Sequence, residues 1–118
     1  MAVSPLPISE LSLETSTTPE ETVIRCTGRI TSTTSGNLQA AVRSQIADGK
    51  RIALDLSDVN YMDSSGLGAL VSIYVSAKRQ HCQLRLINVG PRLQQLFRLT
   101  KLTSVFEGHD DFLGLTPD

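Results

Sequence analysis

The sequence predicts one α/β domain: a mixed sheet of four to five strands packed by about four helices. Three observations lead there. The 118 residues leave room for a single hydrophobic core, and 40% apolar residues are enough to fill it. The run 52–56 is almost continuously apolar, which marks a strand covered on both faces rather than one with a wet side. From that run onward strand-like and helix-like segments alternate, which implies parallel neighbours joined by right-handed crossovers.

The elements follow in chain order. Residues 1–7 hold two prolines and no periodicity, so a loose tail is expected ahead of a domain spanning 8–118. Ile8 to Thr15 alternates as a strand, Ser16 to Glu20 with Pro19 is a turn, and Glu21 to Ile30 is a second strand. Together they predict an antiparallel hairpin, with Gly28 marking a close backbone approach or a bulge. The hydroxyl cluster from Thr31 to Ser35 offers caps for a helix with Leu38, Ala41, Val42 and Ile46 on one face, ending at Asp48-Gly49. The apolar strand Ile52 to Leu56 leads through a polar turn into Asp63-Ser64-Ser65-Gly66. Leu67, Leu70, Val71 and Tyr74 then fall at helical spacing, and the helix is expected to end near Gln80. Asp63 or Ser64 is placed to bind the free amides of its first turn. Cys82 to Ile87 reads as a strand, and Pro91 opens a helix that buries Leu93, Leu96 and Phe97. Ser104 to Glu107 is expected as a short edge strand, followed by a short helix capped by Asp110 or Asp111 and carrying Phe112 and Leu113.

Composition and motifs exclude several functions. Eleven Lys and Arg balance twelve Asp and Glu, with neither sign gathered into a run, so direct nucleic-acid binding is not expected. No apolar stretch approaches the roughly 18 to 20 residues that cross a bilayer, and the N-terminus lacks the pattern of a signal peptide. The expected location is cytoplasmic, without membrane insertion. Cys26 and Cys82 sit in separate apolar runs and read as buried free thiols. His81 and Cys82, as strand neighbours, point to opposite faces and form no chelate, so no metal or cofactor is expected. Catalytic patterns each fail at one position. A nucleophile elbow needs glycine where Met62 stands, a dinucleotide fingerprint needs glycine at Val71, and no phosphate-binding P-loop occurs. A receiver-type phospho-aspartate at Asp55 lacks its acidic pair. The chain is not expected to be an enzyme.

The stretch Asp55-Leu56-Ser57, followed by Met62-Asp63-Ser64-Ser65-Gly66-Leu67-Gly68, resembles the STAS domains, named for sulphate transporters and anti-sigma-factor antagonists. The resemblance continues weakly at Thr27-Gly28-Arg29-Ile30 and clearly at PRLQQLFRLTKL, Pro91 to Leu102. It implies the same α/β fold and a regulatory protein of the antagonist class. Its partner would be an anti-sigma factor with serine kinase activity, and ATP and magnesium would be bound by that partner. Ser65 matches the serine that the kinase phosphorylates, with Ser64 the runner-up. Such antagonists usually carry an aspartate where this chain has Thr31, whose hydroxyl can hydrogen-bond but supplies no charge. The alternative the resemblance implies is a STAS scaffold subunit of a transporter or stress-signalling complex, docking without phosphorylation.

Periodicity adds an expected docking face. Ser65, Ala69, Ser72 and Ser76 recur at i, i+4, i+7 and i+11, opposite the apolar stripe, with Ile73 at the edge as an apolar anchor. With Thr31, Asp63, Ser64 and Gly66, these residues make up the expected partner-binding set.

Overall fold

The computed structural model describes residues 10–99. Within them the chain forms β1 (Leu11–Thr17), β2 (Thr22–Ile30), α1 (Ser35–Arg43), β3 (Arg51–Met62), α2 (Ser64–Arg79), β4 (Gln83–Ile87) and α3 (Pro91–Leu99). The expected tail, the edge strand at 104–107 and the last short helix lie outside the described residues. A four-stranded mixed sheet in the order β1-β2-β3-β4 results, with β1 antiparallel to β2 and the other pairs parallel.

The hairpin forms as its pattern predicts, its turn held by Thr18, whose Oγ1 accepts from the amides of Glu20 and Glu21. Gly28 is needed where the chain passes Glu10. Its φ is +120°, and a Cβ there would collide with the Glu10 carbonyl, which accepts the Arg29 amide at 2.8 Å.

β3 is longer than the apolar run, because Ser57 to Tyr61 continues the strand through two register breaks rather than turning away. At the first break Asp55 Oδ1 accepts the Ser57 amide at 2.9 Å, and Arg25 bridges to Asp58. α1 stops at Arg43, short of the expected end, and leaves Ile46 half-buried beyond it.

All three helices contribute to one core. Ile24, Cys26, Ile52, Leu54, Leu56, Leu84 and Leu86 from the sheet meet Leu38 and Val42 of α1, Leu67, Leu70, Ile73 and Ala77 of α2, and Leu93 and Phe97 of α3. On the opposite sheet face the chain alternates to Arg25, Asp55 and Arg85. Ala53 is nevertheless wholly buried, as a small residue placed between Val23 and Arg85 in the register. The apolar run therefore includes the central strand's small residue on its polar side. Among the described residues no helix is long and apolar enough to cross a membrane.

Candidate functional site

Three parallel strands end on one rim of the sheet, and the conspicuous motif starts there. The Asp63 amide donates to the Ile30 carbonyl at 3.2 Å, which ties the end of β2 to the beginning of α2. Asp63 is extended, with φ −105° and ψ −172°, so its side chain folds over the first turn and Oδ1 accepts the Gly66 amide at 3.0 Å. The cap is thus made by Asp63. Ser64 and Ser65 are not used for it, and both are exposed. No further acidic residue occupies the first turn, while Lys78 and Arg79 stand in the last, so the Asp63 carboxylate is the charge that meets the positive end of the helix dipole.

Gly66 lets the helix sit this close to the sheet. An added Cβ would lie 2.7 Å from Met62 Cγ and 2.9 Å from Ile30 Cγ2. Gly66 is buried, so it shapes the site without presenting a surface to a partner, a correction to its expected role.

Thr31 directly follows Ile30 and so comes beside the start of α2. Its loop is closed on itself: Thr31 Oγ1 accepts the Thr33 amide at 3.2 Å, and the Thr31 carbonyl accepts the amides of Thr34 and Ser35 at 3.1 and 2.7 Å. Thr34, not Thr31, is the buried hydroxyl of this cluster. It accepts the Thr31 amide at 2.9 Å and donates to the Arg29 carbonyl at 2.8 Å. No hydroxyl of the cluster caps α1 by a side-chain bond at the N-cap, because Thr34 is turned back toward β2. Arg29 lies over the half-exposed Tyr61 ring, 4.8 Å from its centroid, on the same rim.

The expected docking face of α2 is corrected by the fold. Ala69 is 2% exposed and Ile73 is wholly buried, because α1 packs over this side. Ser72 is half-buried and its Oγ accepts from Arg43 of α1 at 2.8 Å, and Ser76 is also half-buried. Two helices with apolar faces must cover each other as well as the sheet, and small residues such as Ala69 allow the approach. The exposed stripe of α2 instead runs through Ser64, Ser65, Gly68 and Val75, with Val71 partly exposed beside it. Sequence reasoning missed Gly68 and Val75. Their signal was available in the spacing from Ser64, at i+4 and i+11.

Asp55 fastens the rim from below. Burial raises its carboxyl, but hydrogen bonds from the Ser57 amide and hydroxyl and from Asn88, together with nearby Arg25, outweigh burial and hold it below the usual carboxylate range. Asn88 adopts φ +57° at the end of β4, so this contact joins β3 to the following loop. Cys26, buried in the core and near Asp55, has its thiol pushed up to about 12 and stays protonated and inert.

Residues 12–112 match the family model described as STAS domain. An anti-sigma-B factor antagonist of Staphylococcus aureus is 30% identical over 93 residues, 78% of this chain and 86% of that protein. One from Listeria monocytogenes is 36% identical over 63 residues, covering 53% of this chain and 55% of that protein. The chain therefore spans about half the length of that relative. Solved structures share the fold, among them the two that follow. An anti-sigma factor antagonist from Mycobacterium paratuberculosis has TM-score 0.70 and 23% identity, with 82% of this chain and 83% of that one covered. The Bacillus cell fate determinant SpoIIAA in its phosphorylated form has TM-score 0.58 and 24% identity, with 80% and 86% covered.

Proposed function

The chain belongs to the STAS domain family, and from that premise we propose that it is an anti-sigma-factor antagonist switched by phosphorylation of Ser65. Unphosphorylated, it binds an anti-sigma factor that is also a serine kinase, and the sigma factor is set free. The chain is ligand and substrate, not catalyst. Relatives named anti-sigma-B factor antagonists support the binding role.

The observation that carries the switch is the pair of exposed serines at the start of a helix whose cap is already made by Asp63. In the transfer step the Ser65 oxygen attacks the γ-phosphorus of ATP held with magnesium by the partner. The serine proton passes to a base of the partner, and ADP leaves. The product gains about −1.5 to −2 charges, which free amides and the helix dipole tolerate well, so the domain remains folded. The complex does not tolerate them, because the new charge must be desolvated against a surface fitted to a neutral hydroxyl. A loss of about 3 kcal/mol weakens affinity more than a hundredfold. Thr31 lines the same rim, where its hydroxyl can hydrogen-bond a partner but supplies none of the negative charge that such antagonists usually carry there.

Affinity purification from the native cell, followed by phosphorylation of the purified chain with the recovered kinase and ATP, tests this reading. Recovery of a kinase-like anti-sigma factor and phosphate on Ser65 are expected. Ser65→Asp should fold but not bind, and Ser65→Ala should bind but accept no phosphate. Phosphate on Ser64 alone would move the switch by one residue. Recovery of transporter or stress-complex subunits with no phosphate on either serine would replace this reading with an unmodified scaffold.

A further inference from the structure

β3 outruns one of its neighbours. It pairs with β2 as far as Met62 but with β4 only as far as Asp55, which stands opposite Ile87. The stretch from Leu56 to Met62 therefore passes beyond the end of β4, while the chain leaving β4 turns through residues 88–90 into α3. Strand and helix do not close on each other there. Between them lies a cavity of about 310 Å³, lined by Val59, Asn60, Gly90, Pro91, Arg92 and Leu93. In open sheets of parallel strands, ligands bind in crevices beyond the carboxyl ends, and this volume falls at the lower end of the range for small-molecule sites.

One wall of the cavity is fastened from two sides. Asn88 hydrogen-bonds the Asp55 carboxylate, and Gln94 Nε2 donates to the Val89 carbonyl at 2.8 Å, so the turn is tied to β3 and to α3. A wall held in this way costs an incoming molecule little ordering. The lining is chemically divided. Leu93 is buried and Val59 half-buried, and with Pro91 they supply apolar surface, whereas the exposed Asn60 and Arg92 bring an amide and a guanidinium. No lining residue is acidic. Arg25, Arg43 and Arg85 each engage an acceptor side chain and Arg29 lies over Tyr61, but Arg92 has no ion pair or side-chain hydrogen bond among the described residues. We propose that this cavity binds a small organic acid, with its apolar body against Val59 and Leu93 and its carboxylate on Arg92, beside the Asn60 amide. A guanidinium meets a carboxylate through two parallel hydrogen bonds, which a neutral ligand of the same shape cannot form. None of the lining residues belongs to the serine motif, so the site stands whether or not Ser65 is the phosphate acceptor.

Phenylacetate, its neutral analogue phenylacetamide and inorganic phosphate, each titrated into the isotope-labelled full chain and followed by amide chemical shifts, test the site. Phenylacetate should shift the amides of Val59, Asn60, Gly90, Arg92 and Leu93 with millimolar affinity, and phenylacetamide should bind at least about tenfold more weakly. Arg92→Gln should bring the acid down to the level of the amide. Val59→Phe, which fills the cavity, should weaken both, and thermal melting reads whether each variant is folded. Should Val59→Phe lose its cooperative melt, the parent's shifts and the exposed Arg92→Gln decide the matter. Shifts absent from these amides, or scattered over the surface, would overturn the site. Equal binding of acid and amide, or acid binding unchanged in Arg92→Gln, would overturn the choice of an acid. Phosphate shifting the same amides as strongly as phenylacetate would also overturn it, by showing an adventitious ion only.

Discussion

The carbonyl oxygen of Ile30 lies so close to Gly66 that a Cβ there would sit 2.6 Å from it, and the same oxygen accepts the Asp63 amide. One backbone atom thus sets both the entry of α2 and its distance from the sheet. Gly66→Ala should push the helix off β2 and break that bond, at a cost of about 1 to 3 kcal/mol. The urea midpoint measures it. A midpoint equal to the parent's would show that the helix start can shift freely.

Ile73 and Ala69 are core residues, and a charge at either position has no partner. Ile73→Arg and Ala69→Arg should each destabilise the domain by several kcal/mol, enough to remove a cooperative melt near room temperature. A normal melting curve for either variant would return that side of α2 to the surface.

Leu54 is wholly buried in β3, between β2 and β4 and under the helices. Leu54→Ala should cost about 2 to 5 kcal/mol, read from the urea midpoint at constant slope. A change well under about 1 kcal/mol would mean that the core collapses around the gap.

Asp55 links acid stability to the rim. Its folded value lies below the ordinary one, so the carboxylate's contribution is complete above the unfolded value of about 3.9 and is lost as pH falls through the folded value. Stability of the parent should therefore drop more steeply below about pH 4 than that of Asp55→Asn. Chemical denaturation at several acid pH values compares the two. Parallel curves would show that Asp55 has no such role.

Much of the sheet was legible because strand patterns and Gly28 are local signals. The hairpin, the interior strand and a cap at Asp63 or Ser64 needed no knowledge of the tertiary structure, and the fold chose Asp63. The exposed face of α2 was not legible, because the burial of Ala69 and Ile73 depends on where α1 lies, and only the three-dimensional arrangement decides that. Ser57 to Tyr61 misled for a related reason. Asp and Asn in that segment signal a turn, but the Asp55 side chain satisfies the Ser57 amide and Arg25 engages Asp58, so the strand bends and goes on. The Thr31 to Ser35 cluster looked like a cap and instead closed a loop, since Thr34 had a nearer acceptor in the Arg29 carbonyl.

The Thr18 turn sits at the opposite end of β2 from Ile30. Eight residue steps of strand separate Thr22 from Ile30, about 26 Å at the usual rise per residue. Glu20 is exposed in that turn, and both native cysteines are buried. A cysteine placed at Glu20 would therefore carry a single fluorophore far from the serines, and the chain becomes its own reporter. Dye on the turn tumbles with the domain and would slow if a large protein engaged the far rim, so the proposed engagement and release could be followed in real time without altering any atom near Ser65.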